Sequence, residues 1–220
     1  MTYDETGQVL TISDGTQTIP IPVDLTEKQI AGFLTHYNFT GDAPANDDNF
    51  AYVATTDAGG FVVAISNGQS DMGLAYTYYQ GGETPTSGTS GTFNGNYAAT
   101  YILSTDAGGS SQTISGDAQL IVDFSAGTIT GSITNREADI SLLLNPAVAD
   151  VTFTPTGISD FGFSGTTTGG EITGGTTTTA GTYSGIFDGA GAEQVIGGIA
   201  IVHDVGGVTY YEAGAFIATQ

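Results

Sequence analysis

Apolar residues recur at every second position through much of this chain. Over residues 119–124 they fall at Leu120, Val122 and Phe124, and after Ser125-Ala126-Gly127 the alternation resumes over 128–134. A period of two marks a strand with one buried face, so the pair predicts a hairpin. The same reading predicts strands over 92–104, 138–144, 149–155, 161–165, 181–187, 195–203 and 208–218. About eight or nine strands in series close most simply as an antiparallel barrel, because closure leaves no unpaired edge. The inward positions, among them Leu120, Phe124, Ile129, Ile133, Phe187, Ile199 and Phe216, are bulky and predict an interior filled by side chains.

The first part of the chain reads differently. Within 7–23, VLTI and TQTIPI flank Asp14-Gly15, a strong hairpin signal, and Pro20 and Pro22 confine the second arm to an edge. Residues 25–35 predict one short helix: Asp24 caps it, Glu27 follows three residues later, and Leu25, Ile30, Phe33 and Leu34 form an apolar stripe. That helix is expected to plug or cover a small sheet. A polar loop, GDAPANDDN, then leads to strands over 50–56, 61–66 and 73–80, parted by Asp57-Ala58-Gly59-Gly60 and Asn67-Gly68. Residues 81–91, GGETPTSGTSG, hold no large apolar side chain and read as a linker. The fold class is all-β, with a small N-terminal unit over 1–80, the linker, and a barrel over 92–220.

One stretch is more specific than the rest. Residues 182–202, TYSGIFDGAGAEQVIGGIAIV, place Phe187 before a turn of Gly189, Gly191, Ala192 and Glu193, and open the next strand on Gly197-Gly198. Glycine there supplies positive φ or admits a neighbouring strand, and the Glu193 carboxylate is suited to accept backbone N–H groups and hold the turn shut. The order Gly, Phe, Gly, Ala-Glu, Gly-Gly resembles the repeated signature of the C-terminal β-barrel in the transferrin-binding protein B family, with Ala190 where the family usually has proline. QLIVDFSAGTITGSI at 119–133 and the closing Gly214-Ala215-Phe216 resemble other hairpins of that barrel. The resemblance implies an eight-stranded barrel preceded by a "handle" domain, in a bacterial protein that is secreted or displayed at the outer surface. Relatives bind transferrin, haem or host proteins.

Charge narrows the partners. The formal net charge is −21, from 23 acids against Lys28 and Arg136 alone, so nucleic acid is excluded. No run approaches the about 20 apolar residues of a spanning helix. There is no cysteine, and the opening MTYDETGQ has neither the basic nor the apolar part of a signal peptide. A signal removed beforehand, or another export route, is therefore expected.

Candidate chemistry is sparse. The histidines are His36 and His203. His36 sits beside Tyr37, with Tyr76 and Tyr78 later in the same unit, and an imidazole among aromatic rings is what an axial haem ligand needs. The secreted haem-binding relatives, the hemophilins, pair a small N-terminal unit with such a barrel. His36, Tyr37, Tyr76 and Tyr78 are therefore the candidate ligand-binding set, with His36 on the metal, at loops or in the cleft between units. The bland reading of His36 is a partly buried structural residue. Asp42, Asp47 and Asp48 match no calcium-loop spacing and read as a solvated loop. No nucleophile elbow or phosphate loop is present, so a binding protein is expected and not an enzyme. The competing expectation is a structural or decoration subunit of a surface layer, fibre or virion that self-associates, with Tyr76, Tyr78 and Tyr79 as its exposed stripe.

Overall fold

The structure is a computed structural model, and it describes residues 1–13, 18–23, 29–38, 49–67, 74–103, 112–139, 148–172, 177–205 and 208–220. It is all-β. β1 (Thr2–Asp4), β2 (Val9–Ser13) and β3 (Thr18–Pro22) form an antiparallel sheet with β3 at its edge, where Pro20 and Pro22 are tolerated. A second antiparallel sheet runs β4 (Leu34–Asn38), β5 (Asn49–Thr55), β6 (Phe61–Asn67) and β7 (Leu74–Gln80). The bridge Val23 to His36 joins the two.

No helix occurs among the described residues, which corrects the expectation for 25–35. Residues 24–28 lie outside the described residues, Ala31-Gly32 forms a turn, and Leu34 begins β4. The Phe33 amide bonds the Ile30 carbonyl at 3.0 Å, and Gly32 takes φ +78°, a conformation that ends a helix. The stripe was genuine but its period was not: Ile30 and Phe33 are buried against Tyr52 and the barrel wall from a turn.

The barrel is closed and eight-stranded: β8 (Gly91–Leu103), β9 (Gln112–Asp123), β10 (Thr128–Asp139), β11 (Val151–Ser159), β12 (Gly162–Gly169), β13 (Thr177–Asp188), β14 (Gln194–Val205) and β15 (Val208–Thr219). Closure comes from β15 on β8, with Phe216 opposite Tyr97. The strand expected over 138–144 falls mostly outside the described residues. Ala138 and Asp139 finish β10, and 140–147 lie outside the described residues. Phe161 does not begin a strand. It sits with Asp160 in the β11–β12 turn, both at positive φ, 59° and 48°.

Inside, aromatic rings fill the cylinder. Phe153 stacks on Tyr183 with centroids 4.3 Å apart, and Phe124, Phe163 and Phe93 surround Phe187 at 4.8, 5.6 and 5.7 Å. The predicted inward residues Leu120, Ile129, Ile133, Phe187, Ile199 and Phe216 are all buried, and Phe124 is partly so.

Outside, the four-stranded sheet lies against β14, β15 and β8. β5 and β6 are buried on both faces: Tyr52, Ala54, Val62 and Ala64 meet Ala98, Ile196 and Ala215 of the barrel, whereas Ala51, Val53, Val63 and Ile65 meet Leu10 and Ile21 of the three-stranded sheet. A strand covered on both sides needs no polar alternation, which explains the runs AYVA and FVVAI. The molecule is thus three layers: small sheet, middle sheet, barrel wall.

Where walls approach closely, size is limiting. A Cβ at Gly95 in β8 would fall on the Ile217 carbonyl of β15, whereas one at Gly157 would meet nothing nearer than 3.8 Å. Gly95→Ala should therefore lower stability by about 1–3 kcal/mol, while Gly157→Ala leaves it unchanged or slightly higher. Thermal melts of the two variants check this; equal effects would contradict the assigned β8–β15 contact.

Candidate functional site

One barrel end gathers the starts of β8, β10, β12 and β14 and the ends of β9, β11, β13 and β15. The β13–β14 turn, picked out above by its glycines, is the anchor of this end. Asp188, fully buried, accepts the amides of Gly82 (3.0 Å) and Glu83 (2.8 Å) and the Thr56 hydroxyl. Thr56 Oγ1 in turn accepts the Gly60 amide at 2.8 Å. Nearby, the Ala190 carbonyl accepts from Thr86 and Ser87, and the Asp57 amide reaches Gln194 Oε1 at 2.6 Å. Residues 81–90 are accordingly a strap laid across the barrel end, with Pro85 buried.

The turn's glycines divide the labour. Gly189, at φ +87°, takes a backbone angle an L side chain rarely adopts. Glu193 accepts the Gly191 amide at 3.1 Å. The multiple acceptance expected of Glu193 falls instead on Asp188, five residues earlier. Gly197 leaves room for the Phe216 ring inside the barrel, and Gly198 leaves room for Thr77 of β7 outside it. The pair is what lets one strand be packed tightly from both sides.

Beside this clasp lie three joined clefts of about 660, 270 and 210 Å3. Ile158, Asp160, Phe161 and Ile186 each line two of the three, and Phe161 rests on Phe124 at 6.0 Å. A separate polar cleft of about 320 Å3 lies between Ile30 and the β9–β10 pair, where Asn135 donates to Asp117 at 2.7 Å.

The opposite part of the interior is ionic. Arg136 Nη2 meets Glu212 Oε1 at 2.5 Å, Tyr97 donates to the same oxygen at 2.5 Å, and His203 Nε2 lies 2.9 Å from Glu212 Oε2. Arg136 Nη1 also donates to the Ala149 carbonyl at 2.7 Å, so one guanidinium ties β10, the approach to β11 and β15. Burial pushes the Glu212 carboxyl up, but the Arg136 charge and the hydrogen bonds from His203 and Tyr97 outweigh it and hold it at about 2. Burial and the Glu212 charge push the Tyr97 phenol well above its ordinary value. Burial lowers Arg136, but the Glu212 charge reverses this and leaves it raised.

Sequence reasoning missed this quartet for a definable reason. Inward positions on β10 are Ile129, Gly131 and Ile133, so strict alternation puts Asn135 inside and Arg136 outside. A register shift between Thr134 and Glu137, with Asn135 at φ +51°, reverses them.

Of the predicted ligand set, the structure describes the side chains of His36 and Tyr78. His36 is fully buried, its Nδ1 2.9 Å from the Ile21 carbonyl and its ring edge-on to Tyr3 at 5.7 Å. Burial lowers its pKa and favours the neutral ring. Tyr78 packs on Phe61 at 5.7 Å in the cluster between the two sheets, and Tyr79 packs on the opposite face. These two therefore form no exposed stripe. The Tyr37 and Tyr76 side chains, and Asp42, Asp47 and Asp48, lie outside the described residues. Among the described residues no three His, Cys, Asp or Glu side chains group to hold a metal.

Two outcomes follow. Asp188→Ala leaves two amides and a hydroxyl without their acceptor, at a cost of about 2–4 kcal/mol, with hydrogen exchange accelerated first at Gly82 and Glu83; unchanged exchange there would contradict the clasp. Because the folded Glu212 pKa is depressed below 4.5, its contribution is complete above that pH and is lost as pH falls towards about 2. Melting temperature should fall over that window. Glu212→Gln, which leaves Arg136 uncompensated, should cost about 3–5 kcal/mol at neutral pH and flatten the acid dependence.

No family model and no curated protein matches the chain. Among solved structures it is similar to the vaccine antigen transferrin-binding protein B of Haemophilus parasuis Hp5. For a double mutant of that protein the TM-score is 0.53 at 16% identity, covering 97% of this chain and 40% of that one. For a single mutant the values are 0.52, 15%, 97% and 41%. The chain thus spans about two fifths of the length of the protein it resembles, and the likeness is one of fold: a closed eight-stranded barrel with small β-sheets packed on its wall.

Proposed function

We propose that this chain is an exported or surface-displayed binding module of the transferrin-binding protein B type, which grips a protein partner with its outer surface in the setting of iron acquisition. The observation that carries the reading is the aromatic filling of the barrel. With Phe153, Tyr183, Phe187 and Phe216 occupying the axis, a ligand is left the outside, where clefts border the turns. The setting draws its support from the likeness in fold to transferrin-binding protein B. The chain has no cysteine, and its two histidines, His36 and His203, are buried.

Haem carriage is the reading the geometry supports less, because reaching His36 would require parting the two sheets. A self-associating structural subunit draws less support: the barrel is closed, which leaves edges only on the two small sheets, and Tyr78 and Tyr79 are packed. Two measurements on the intact chain test the proposal. Hemin titration should give no stoichiometric Soret band, and sedimentation at micromolar concentration should give a monomer. A stoichiometric Soret band lost in His36→Ala, or assembly into large particles, would replace the reading with haem carriage or with a structural role respectively.

A further inference from the structure

The β11–β12 tip carries a backbone conformation that its residues do not favour. A two-residue hairpin with both central residues at positive φ is the place for Asn-Gly or Asp-Gly. Here the second residue is Phe161, at φ +59°, and a bulky side chain at that angle is a genuine outlier. The strain is held in place by contacts on both sides. The Phe161 carbonyl accepts the Phe187 amide at 2.8 Å, and the ring leans on Phe124. Phe161 nevertheless stays partly exposed, and it borders two of the three joined clefts. Strain of this kind is retained where the surroundings enforce it, and it concentrates at binding sites.

The chemistry around the tip is one-sided. Ile158, Ile186 and Pro85 supply apolar lining, and Asp160 and Glu83 stand exposed at the rim. Asp123, at the neighbouring turn, accepts the Ser125 and Ala126 amides and the Ser125 hydroxyl, which keep its carboxyl below the usual range and hence ionised. Among the described residues no lysine or arginine offsets these charges at this end. Arg136 is buried in the ionic part of the barrel and paired with Glu212, and Lys28 lies outside the described residues.

We propose that this tip is the docking face for a cationic segment of a partner protein, whose apolar anchor seats against Phe161 and Ile186 while flanking lysine or arginine side chains meet Asp160 and Glu83. The assignment rests on the binding-module reading and gives that module its face and the charge of its partner. Apolar anchors in a pocket carry most of the affinity at such faces, and rim charges set approach rate and salt dependence.

The test uses the full isotope-labelled chain and a short synthetic peptide of alternating lysine and leucine, with a glutamate–leucine peptide as control. The lysine peptide should give saturable amide shifts centred on Glu83, Asp160, Phe161 and Ile186, and the control none. Phe161→Gly removes the anchor contact and relieves the backbone, and should weaken binding about tenfold. The double variant Asp160→Asn with Glu83→Gln, both on exposed side chains, should weaken it several-fold at low salt and little at high salt. Saturable shifts on another face, shifts spread over the acidic surface without saturation, or wild-type affinity in Phe161→Gly would each overturn the assignment. None of these would by itself overturn the binding-module reading, which fails instead on a His36-dependent Soret band or on assembly into large particles.

Discussion

Everything in this fold depends on β15 closing onto β8. Once that pairing is made, eight strands enclose a cylinder, and an eight-stranded barrel in general is either filled by side chains or holds one small ligand. The chain commits the space to side chains. Phe153 stacks on Tyr183 and packs at a tilt against Phe216, and glycines at Gly95, Gly197 and Gly214 let walls and rings come closer than any Cβ would permit. The interior is therefore structural, and the binding role proposed above falls to the rim and the outer wall.

The filling is polarised. At the strap end it is apolar, with Phe93, Phe124 and Phe163 around Phe187; towards the other end it is ionic, with Arg136, Glu212, His203 and Tyr97 meeting in one hydrogen-bonded group. Burying a guanidinium and a carboxylate is expensive unless both are paired and satisfied, and a buried pair is more convincing as a fixer of register than as a source of stability. Here the guanidinium ties β10 to β15, and to the chain entering β11, at the one place where β10 slips its register against β9. The same group neutralises the single arginine, so a surface already dominated by carboxylates receives no relief from it.

Much of this was legible in the sequence. Period-two patterning marked the barrel strands because each has one face inside and one face out, and the bulk of Leu120, Ile133 and Phe216 foretold a filled bore. The failures have physical causes. Residues 25–35 carried a cap and an apolar stripe, but Gly32 at positive φ and burial of Ile30 and Phe33 against the barrel wall decided for a turn and a strand. Arg136 was invisible because a bulge reversed the side on which it points. Asp188 was overlooked in favour of Glu193 because nothing in the sequence tells which carboxylate of a turn will face a strap contributed from residues 81–90. His36 has aromatic neighbours in sequence, and in space it packs against Tyr3 and the Ile21 carbonyl of the three-stranded sheet.

The claim on which the rest stands is that the bore holds no room for a ligand. Xenon enters dry apolar cavities without needing a specific contact, so xenon-129 NMR of the native chain under xenon pressure measures the bore directly. A single averaged resonance close to that of the solvent, with no saturable shift, is the predicted result. A saturable xenon site that perturbs Phe153, Tyr183 and Phe216 would contradict it.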